Sequence, residues 1–239
     1  MRVRVVTWNV HSWLDSRYRP QFPEMLHVLS ELRPEILCVQ EARWDPERGV
    51  YSAEIAQLRR DLGLEGFAMC TTHLSPLRRQ AVGHLILTRP PLRNVQHFDI
   101  GRAFHIRRRL LFADTSFGHT ELSVATTHLT PLPWPSVPRW NWEWLPRPRE
   151  VRRLLGALSR VEKPLVLAVD LNATPDTADF ALVAEWLKPC CTSHTSHISG
   201  ACIDFIFASP SLRASHLPVN LTTDPSDHYP VAADLQLPG

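Results

Sequence analysis

Carboxylate, amide and imidazole side chains stand at or beside the ends of six apolar runs in this sequence. The residues concerned are Asn9, Glu41, His128, Asp170 with Asn172, Asp204, and Asp227 with His228. Strands that end in polar groups are a common way to build a site in α/β proteins, because a rigid scaffold holds the groups in place. The pattern therefore predicts one site to which all six runs contribute.

The residue types in this set favour a hard divalent cation. Oxygen ligands are available from Asn9, Glu41, Asp170, Asn172 and Asp227. Such donors suit Mg²⁺ or Mn²⁺, whereas zinc prefers cysteine and histidine. A bound cation lowers the pKa of water and neutralises phosphate, and nearby imidazoles share protons or donate hydrogen bonds. This chemistry indicates hydrolysis at phosphorus by activated water, without a serine or cysteine nucleophile.

The elements that position these groups mix strand and helix patterns without strict alternation. Apolar runs predict strands over 3–10, 36–40, 66–72, 82–89, 104–115, 120–127, 165–169, 203–208 and 231–235. Helical periodicity predicts helices over 23–32, 52–62, 148–158 and 177–187, the second capped by Ser52 and ended by Gly63. Several adjacent strands look like hairpins, which favours an α+β fold of mixed sheets with helices outside, in one domain over residues 1–239.

Six short motifs in a fixed order carry a family resemblance. They are TWNV (7–10), VQEAR (39–43), TTHL (126–129), VDLNATP (169–175), CIDFIF (202–207) and SDHYPV (226–231). In this order they resemble the endonuclease/exonuclease/phosphatase superfamily, to which deoxyribonuclease I belongs. The resemblance spans nearly the whole chain and implies a four-layer α/β/β/α sandwich of two packed mixed sheets.

The resemblance also implies a metal site at one edge of the sandwich. Glu41 would be the main ligand of Mg²⁺ or Mn²⁺, with Asn9 and Asp227 assisting. The number of ions stays open, because one ion and two ions are both compatible with these residues.

The catalytic roles follow from the same resemblance. Asp170 would position or deprotonate the attacking water, with Asn172 beside it. His228, oriented by Asp204, would donate a hydrogen bond to the phosphoryl oxygens, and His128 would contact the phosphate from the other side.

Departures from the family pattern bear on the substrate. His11 stands where the apurinic-site endonucleases carry an aspartate, and TTHL replaces their Tyr-x-Pro-Asn motif, so that branch is disfavoured. His84 either points at the phosphate or fills the sheet edge. We take His11, His84, Arg43 and Trp140 as candidate substrate contacts.

The stretch 131–148 contains six prolines and four tryptophans and follows His128 closely. The tryptophans (134, 140, 142 and 144) could stack on bases while Arg139, Arg147 and Arg149 hold phosphates. They could equally seat in a lipid interface, or the stretch could be a proline-stiffened loop packed on the sandwich. In residues 107–109, three consecutive arginines either contact phosphate or form a solvated face.

Two further patterns have plainer interpretations. The echo TTHLSPL (71–77) and TTHLTPL (126–132) is too short to indicate a repeat, and we interpret it as chance. A second group, Cys190, Cys191, His194, His197 and Cys202, suggests zinc, but its spacing matches no standard structural site. We interpret this stretch as a variable loop in which His194 or His197 contacts substrate.

Composition limits the class of protein and its partners. The chain has 239 residues and a formal net charge of +2, with arginine at 24 of its 26 basic positions. No apolar run approaches the about 18 residues of a membrane helix, and no signal-peptide pattern is present. Five cysteines without framework spacing indicate reduced thiols. We expect a cytoplasmic monomer without a membrane span.

The resulting hypothesis is a Mg²⁺- or Mn²⁺-dependent phosphodiesterase that acts on nucleic acid. Arginine richness and the tryptophans favour it, whereas the near-neutral charge does not favour tight duplex binding. The alternative is a phosphodiesterase or phosphatase for phospholipid head groups, as in sphingomyelinases, or for small phosphorylated molecules. A non-catalytic binding protein is the remote alternative, because every expected acid and imidazole is present.

Overall fold

The computed structural model describes residues 1–49, 52–75, 80–103, 106–131 and 147–237, and these ranges form two six-stranded sheets packed face to face. The first sheet contains β1 (Arg2–Asn9), β2 (Ile36–Trp44), β3 (Gly66–Ser75), β4 (Gln80–Thr88), β11 (Arg213–Leu217) and β12 (Val231–Gln236). Its strand order is β11-β12-β1-β2-β4-β3. The β1–β2 pair at its centre is parallel, and the other pairs are antiparallel.

The second sheet repeats this plan. It contains β5 (Arg93–Ala103), β6 (Ile106–Phe117), β7 (Thr120–His128), β8 (Leu165–Asp170), β9 (Lys188–Pro189) and β10 (Asp204–Ala208), in the order β5-β6-β7-β8-β10-β9. The β7–β8 pair is parallel and the other pairs are antiparallel. Each sheet thus has one parallel pair at its centre, whose two strands end at the same edge.

Four helices of the described residues cover the outer faces. They are α1 (Phe22–Leu32), α2 (Ala53–Leu62), α3 (Arg147–Leu158) and α4 (Ala178–Ala184), and a short 3-10 turn lies at His11–Trp13. One apolar cluster joins the first sheet to α1 and α2, another joins the second sheet to α3 and α4, and a third fills the space between the sheets. The predicted four-layer α/β/β/α sandwich is therefore confirmed. None of the described helices is long and apolar enough to cross a membrane.

Helix ends follow the sequence signals in part. Gly63 ends α2 with a left-handed φ of 64°, which glycine adopts without steric cost. Ser52 stands at the N-cap of α2, but its hydroxyl makes no cap hydrogen bond and instead accepts from the Asp45 N–H at 3.1 Å. Thr177 caps α4 by accepting from the Phe180 N–H at 3.3 Å.

A buried amide joins the two sheets within their apolar interface. Gln40 on β2 is fully buried, and its Nε2 donates to Thr7 Oγ1 at 2.9 Å within its own sheet. The same Nε2 donates to Thr126 Oγ1 on β7 of the other sheet at 2.8 Å. Polar contact between the sheets therefore lies one residue before Glu41 and two residues before His128.

Three strands were absent from the sequence prediction, and all three lie at sheet edges. β5 and β9 border the second sheet, and β11 borders the first. The first seven residues of β5 are exposed, and β11 carries no fully buried residue. β5, β9 and β11 bury little apolar surface, so they lack the periodicity by which the other strands were predicted. The remaining edge strand, β3, alternates between buried and partly buried residues, and it was predicted.

Candidate active site

The two parallel pairs deliver polar side chains to the same edge of the sandwich. In the first sheet Asn9 ends β1 and lies opposite Gln40, the residue before Glu41. In the second sheet His128 ends β7 and lies opposite Asp170 at the end of β8. The ends meet at a cleft of about 330 Å³ lined by residues of both sheets.

A β-bulge presents Glu41 to this cleft. The register of β2 against β4 shifts between Val39 and Ala42, and Glu41 has a φ of +53°. This left-handed conformation costs a non-glycine residue about 1–2 kcal/mol, and bulges of this kind re-aim a side chain. The strained backbone therefore takes Glu41 out of the strand alternation, and its side chain lines the cleft.

The amide of Asn9 connects the carboxylates of the two sheets. Its Nδ2 donates to Asp170 Oδ2 at 2.9 Å and to Glu41 Oε1 at 3.3 Å. Its Oδ1 accepts from the His11 N–H at 3.0 Å. In this rotamer Asn9 organises the two acids, while its oxygen faces the backbone of the following turn.

His128 lies between the same two carboxylates. Its Nδ1 is 3.3 Å from Glu41 Oε1, and its Nε2 is 3.4 Å from Asp170 Oδ2. Burial, with the nearby guanidinium of Arg108, holds the pKa of His128 well below its ordinary value, so the imidazole is neutral. A neutral imidazole donates one hydrogen bond and accepts one, which suits it to contact a phosphate without adding charge.

His228 is the charged imidazole of the site. Its Nδ1 donates to Asp204 Oδ2 at 2.8 Å, and its Nε2 lies 3.9 Å from Asp170 Oδ2. Burial opposes the charge, but the carboxylates of Asp204 and Asp170 raise the pKa of His228 to about 10. Ser196 fixes the backbone beneath this pair, because its hydroxyl accepts from the N–H of Asp204 at 2.9 Å.

Asp170 occupies the centre of the cluster. It is fully buried, and this burial together with the charge of Asp204 raises the pKa of its carboxyl group. The Asn172 N–H donates to Asp170 Oδ1 at 3.1 Å, and the Asn172 amide donates to the carbonyl of Leu129 at 3.1 Å. Asn172 has a φ of +49°, a conformation that asparagine tolerates well. A carboxyl group with a raised pKa is a suitable proton acceptor from water.

Asp227 and His11 lie beside the cleft, and neither is among its described lining residues. Asp227 Oδ1 is 3.7 Å from His11 Nδ1 and 3.3 Å from the Ser226 hydroxyl. Asp227 also groups with His197 and His228, one donor atom of each lying within 4.8 Å of the others. The His197 ring packs edge-on against His228 at 4.8 Å, whereas His194 donates to the backbone carbonyl of Asp204 and is absent from the described cleft wall.

His84 lines the cleft from β4. It is 2% exposed, and burial, with the charge of Arg108, lowers its pKa to about 3. Neither ring nitrogen has a hydrogen-bond partner among the described residues. A buried neutral imidazole without partners is costly unless a ligand or water completes it, so a polar group in the cleft would stabilise this position.

The remaining candidate contacts have different positions. The backbone carbonyl of Arg43 accepts from the Trp13 indole at 2.8 Å, and the Arg43 side chain is half-buried. Trp140, with the other tryptophans of the 131–148 stretch, lies outside the described residues. One alternative for the 131–148 stretch places Arg147 on phosphate, but this residue is 2% exposed and binds Asp179 and the backbone carbonyls of Thr130 and Leu171.

Three polar residues of the cleft wall, Thr72, His73 and Arg108, were not among the candidate site residues, although Arg108 belongs to the arginine run 107–109 considered for phosphate contact. Arg108 is 6% exposed, and its Nε donates to Thr130 Oγ1 at 3.1 Å. His73 belongs to the first TTHL copy, and His128 belongs to the second. The echo that we interpreted as chance thus places a histidine from each sheet at the same cleft, and it was the signal available for His73.

The donor chemistry of the cleft fits a hard divalent cation. Glu41 and Asp170 supply carboxylate oxygens that share the Asn9 amide, and Asp170, Asp204 and His228 have donor atoms within 4.8 Å of one another. Asp204 Oδ1 is buried without a hydrogen-bond partner among the described residues. Oxygen-rich sets of this kind suit Mg²⁺ and Mn²⁺. Glu41, partly exposed in the cleft, is the carboxylate best placed to hold the ion, and the buried Asp170 lies on the other side of the Asn9 amide.

A two-sheet sandwich with an acid, amide and imidazole cluster where both parallel pairs end defines the class of deoxyribonuclease I-like hydrolases. The profile of the Endonuclease/Exonuclease/phosphatase family matches residues 6–228, so the chain belongs to that family, whose members are phosphoesterase hydrolases. The predicted family is thereby confirmed. A search of curated proteins found no match.

Solved structures share the fold at low sequence identity. An endonuclease/exonuclease/phosphatase from Beutenbergia cavernae superposes with a TM-score of 0.78 at 19% identity, over 100% of this chain and 72% of that one. The human Nocturnin catalytic domain with bound sulfate superposes with a TM-score of 0.71 at 18% identity, over 98% of this chain and 94% of that one. ANGEL2, a 2′,3′-cyclic phosphatase in complex with adenosine-2′,3′-vanadate, superposes with a TM-score of 0.70 at 14% identity, over 98% of this chain and 95% of that one.

Proposed function

We propose that this protein is a Mg²⁺- or Mn²⁺-dependent phosphoesterase that cleaves P–O bonds of nucleic-acid phosphodiesters by activating water. The observation that carries the proposal is the meeting of Glu41, Asp170 and the His228–Asp204 pair at one cleft formed by both sheets. The bound cation would lower the pKa of water and neutralise charge on the phosphate.

The carboxylates and amides of the cleft bind the cation and activate the attacking water. Glu41 would hold the cation, and Asn9 and Asp227 would be the further ligands that the family pattern implies. Asp170 accepts a hydrogen bond from the attacking water and then its proton, because burial raises the pKa of this carboxyl group. Asn172 holds Asp170 by its backbone N–H.

The imidazoles bind the phosphoryl oxygens from two sides. His228 is a cation whose Nδ1–H is held by Asp204, so its Nε2–H is free to donate to a phosphoryl oxygen as negative charge develops. His128 contacts the phosphate as a neutral group from the other sheet edge. Arg108 adds a fixed positive charge to the same wall.

A guanidinium in the cleft wall supports a phosphoester substrate such as nucleic acid. Arg108 lines the cleft, whereas Arg107, on the opposite strand face, pairs with Asp99 at 3.7 Å. The Arg108 guanidinium suits a phosphate bound in the cleft. ANGEL2, which shares the fold, is described as a 2′,3′-cyclic phosphatase and was solved with an adenosine derivative, which agrees with a nucleotide phosphoester here.

The size of the cleft favours a second candidate, a small phosphorylated molecule. About 330 Å³ is at the lower end of the roughly 300–1,000 Å³ usual for small-molecule sites. A nucleotide or another small phosphoester would fit such a volume, with His84 as its buried polar contact. A lipid head group is the further alternative, and it depends on the tryptophans of the 131–148 stretch.

The deciding experiment compares substrates under metal control. Supercoiled plasmid, single-stranded RNA, bis(4-nitrophenyl) phosphate and phospholipid vesicles are incubated with the protein in Mg²⁺, Mn²⁺ or EDTA. His228→Ala and Glu41→Gln are the inactive variants, and His27→Ala, at an exposed position on α1, is the matched control.

We expect metal-dependent cleavage of a polynucleotide by the wild type and by His27→Ala, lost in EDTA and in both cleft variants. Cleavage of bis(4-nitrophenyl) phosphate alone would move the proposal to the small-molecule candidate, and cleavage of lipid alone to the third. No turnover of any substrate in either metal would refute the catalytic proposal.

A further inference from the structure

A second cluster of metal-binding side chains lies outside the cleft. Cys191, His194 and His216 each offer one donor atom, and the three atoms lie within 4.8 Å of one another. Cys202 Sγ is 3.5 Å from His194 Nδ1. Cys191, His194 and Cys202 belong to the segment between β9 and β10, whereas His216 is on β11 of the other sheet. The cluster therefore joins the edges of the two sheets.

The tautomer of the His194 imidazole leaves one ring nitrogen available to a metal ion. Its Nε2 lies 2.9 Å from the backbone carbonyl oxygen of Asp204. A carbonyl oxygen only accepts, so Nε2 carries the ring proton and Nδ1 keeps its lone pair. Cys202 Sγ lies 3.5 Å from Nδ1 and 3.7 Å from Nε2, so the thiol would shift toward the Nδ1 side to share an ion with it. Metal-bound histidines commonly donate their second ring nitrogen to a carbonyl in this way, which fixes tautomer and ring direction.

His216 completes the set from the facing strand. Its ring lies 5.4 Å from that of His194 with an interplanar angle of 31°. Its backbone is fixed by pairing of β11 with β12, where it lies opposite Ala233. All four side chains are half-buried. An ion can therefore reach them from solvent, and they stay shielded enough to hold it.

We propose that Cys191, His194, Cys202 and His216 bind one structural zinc ion. Two thiolates and two imidazoles are the donor set that zinc prefers, and they contrast with the oxygen-rich cleft. Tetrahedral zinc with usual bond lengths places its donors about 3.3–3.8 Å apart. The donor atoms of Cys191, His194 and His216, which lie within 4.8 Å of one another, would draw closer around the ion, and Cys202 would join them from its contact with His194. Binding forms two Zn–S and two Zn–N bonds and releases the two thiol protons to solvent.

The site would fasten the segment that supports the catalytic pair. Within this segment Ser196 accepts hydrogen bonds from the N–H groups of Ile203 and Asp204, both at 2.9 Å. His194 holds the carbonyl of the same Asp204. Zinc would thus tie the backbone of Asp204, whose side chain holds His228, to β11 of the first sheet.

Metal content tests the proposal directly. The full-length protein is purified without chelator and dialysed against metal-free buffer. Its zinc content is then measured by inductively coupled plasma mass spectrometry. We expect about one zinc per chain in the wild type. We expect less than a tenth of that in Cys191→Ala and in His216→Ala.

Matched controls separate this site from chance thiols and from the cleft. Cys190→Ala removes the neighbouring thiol, and His27→Ala removes an exposed histidine. Glu41→Gln alters the cleft without touching the cluster. All three should retain one zinc, so the result is independent of whether the proposed phosphoesterase activity is found.

Cobalt substitution gives an answer that needs no variant to fold. The wild type with one equivalent of Co²⁺ should show the intense visible absorption of tetrahedral cobalt and a thiolate-to-cobalt band in the near ultraviolet, both displaced by Zn²⁺. Wild type without zinc and without a thiolate–cobalt band would overturn the proposal. So would a mass lower by two hydrogens that reports a Cys191–Cys202 disulfide in freshly purified protein, or zinc retained at full stoichiometry by Cys191→Ala.

Discussion

Replacement of Arg147 by methionine tests whether this arginine is structural or binds substrate. Its guanidinium is 2% exposed and donates to the carboxylate of Asp179 and to the backbone carbonyls of Thr130 and Leu171. Thr130 follows β7 and Leu171 follows β8, so Arg147 ties together the two chain segments that leave the cleft. Methionine keeps most of the apolar length and removes every donor.

The magnitude follows from these three bonds. Hydrogen bonds to a charged group contribute about 1.5–3 kcal/mol each, which sets an upper range near 5–9 kcal/mol. Breaking a buried ion pair by removal of one partner costs about 3–5 kcal/mol, and Asp179 is only 17% exposed. We therefore expect a loss of about 3–5 kcal/mol in the free energy of unfolding, and a fall in Tm of roughly 6–20 °C.

Urea unfolding followed by circular dichroism measures this loss, and Arg149→Met is the control because Arg149 is exposed on the same helix turn. The control should change stability by less than about 0.5 kcal/mol. If Arg147 bound phosphate instead, Arg147→Met would keep the wild-type stability and raise KM. A stability loss below about 1 kcal/mol would refute the structural role.

Three further predictions concern the site, the sheets and pH. Asp204→Asn should fold normally by circular dichroism and lower kcat about 10²–10⁴-fold in steady-state assays, because His228 loses the carboxylate that orients and charges it. The hydrogen bond from Arg4 lowers the pKa of Asp234, so this carboxylate stabilises the fold above pH about 4 and loses that contribution as the pH falls. Asp234→Asn should thus cost about 1–3 kcal/mol near neutrality, and urea titrations at a series of pH values should show the difference from wild type shrinking below pH about 4. Gly83→Ala would place a methyl group 1.9 Å from a carbonyl oxygen of β3, so the free energy of unfolding should fall by at least the upper end of the about 1–3 kcal/mol typical of overpacking. A thermal melt should show a lower Tm, and an unchanged Tm would contradict the pairing of β3 with β4.

The central strands could be predicted from sequence because each buries a continuous apolar run. β1, β2, β8 and β10 are buried along most of their length, and their polar ends gave the cleft acids. β5, β9 and β11 could not be predicted, since their stability comes from backbone pairing with a neighbour rather than from their own side chains, whereas the edge strand β3 was predicted over 66–72.

Positions that depend on long-range packing were equally hidden in the sequence. Arg147 follows a tryptophan-rich stretch and resembles a phosphate contact, yet its partners Asp179 and Leu171 come from later parts of the chain. His216 lies on β11, a strand that the sequence did not predict, so the sequence analysis did not group it with Cys191, His194 and Cys202. The direction of the Glu41 side chain depends on a β-bulge in β2, and no residue near Glu41 in the sequence indicates that bulge.

The amide of Gln40 gives the core between the sheets a property that apolar contacts lack. Apolar contacts have no preferred direction, and two apolar faces can pack at several relative offsets with similar energy. A hydrogen bond is directional and is satisfied at one offset, here with Thr7 on one side and Thr126 on the other. Gln40 therefore fixes the position of one sheet relative to the other. Because Glu41 and His128 lie on different sheets, the distance between their side chains depends on how the two apolar faces are aligned. The buried hydrogen bonds of Gln40 fix that alignment and, with it, the geometry of the cleft.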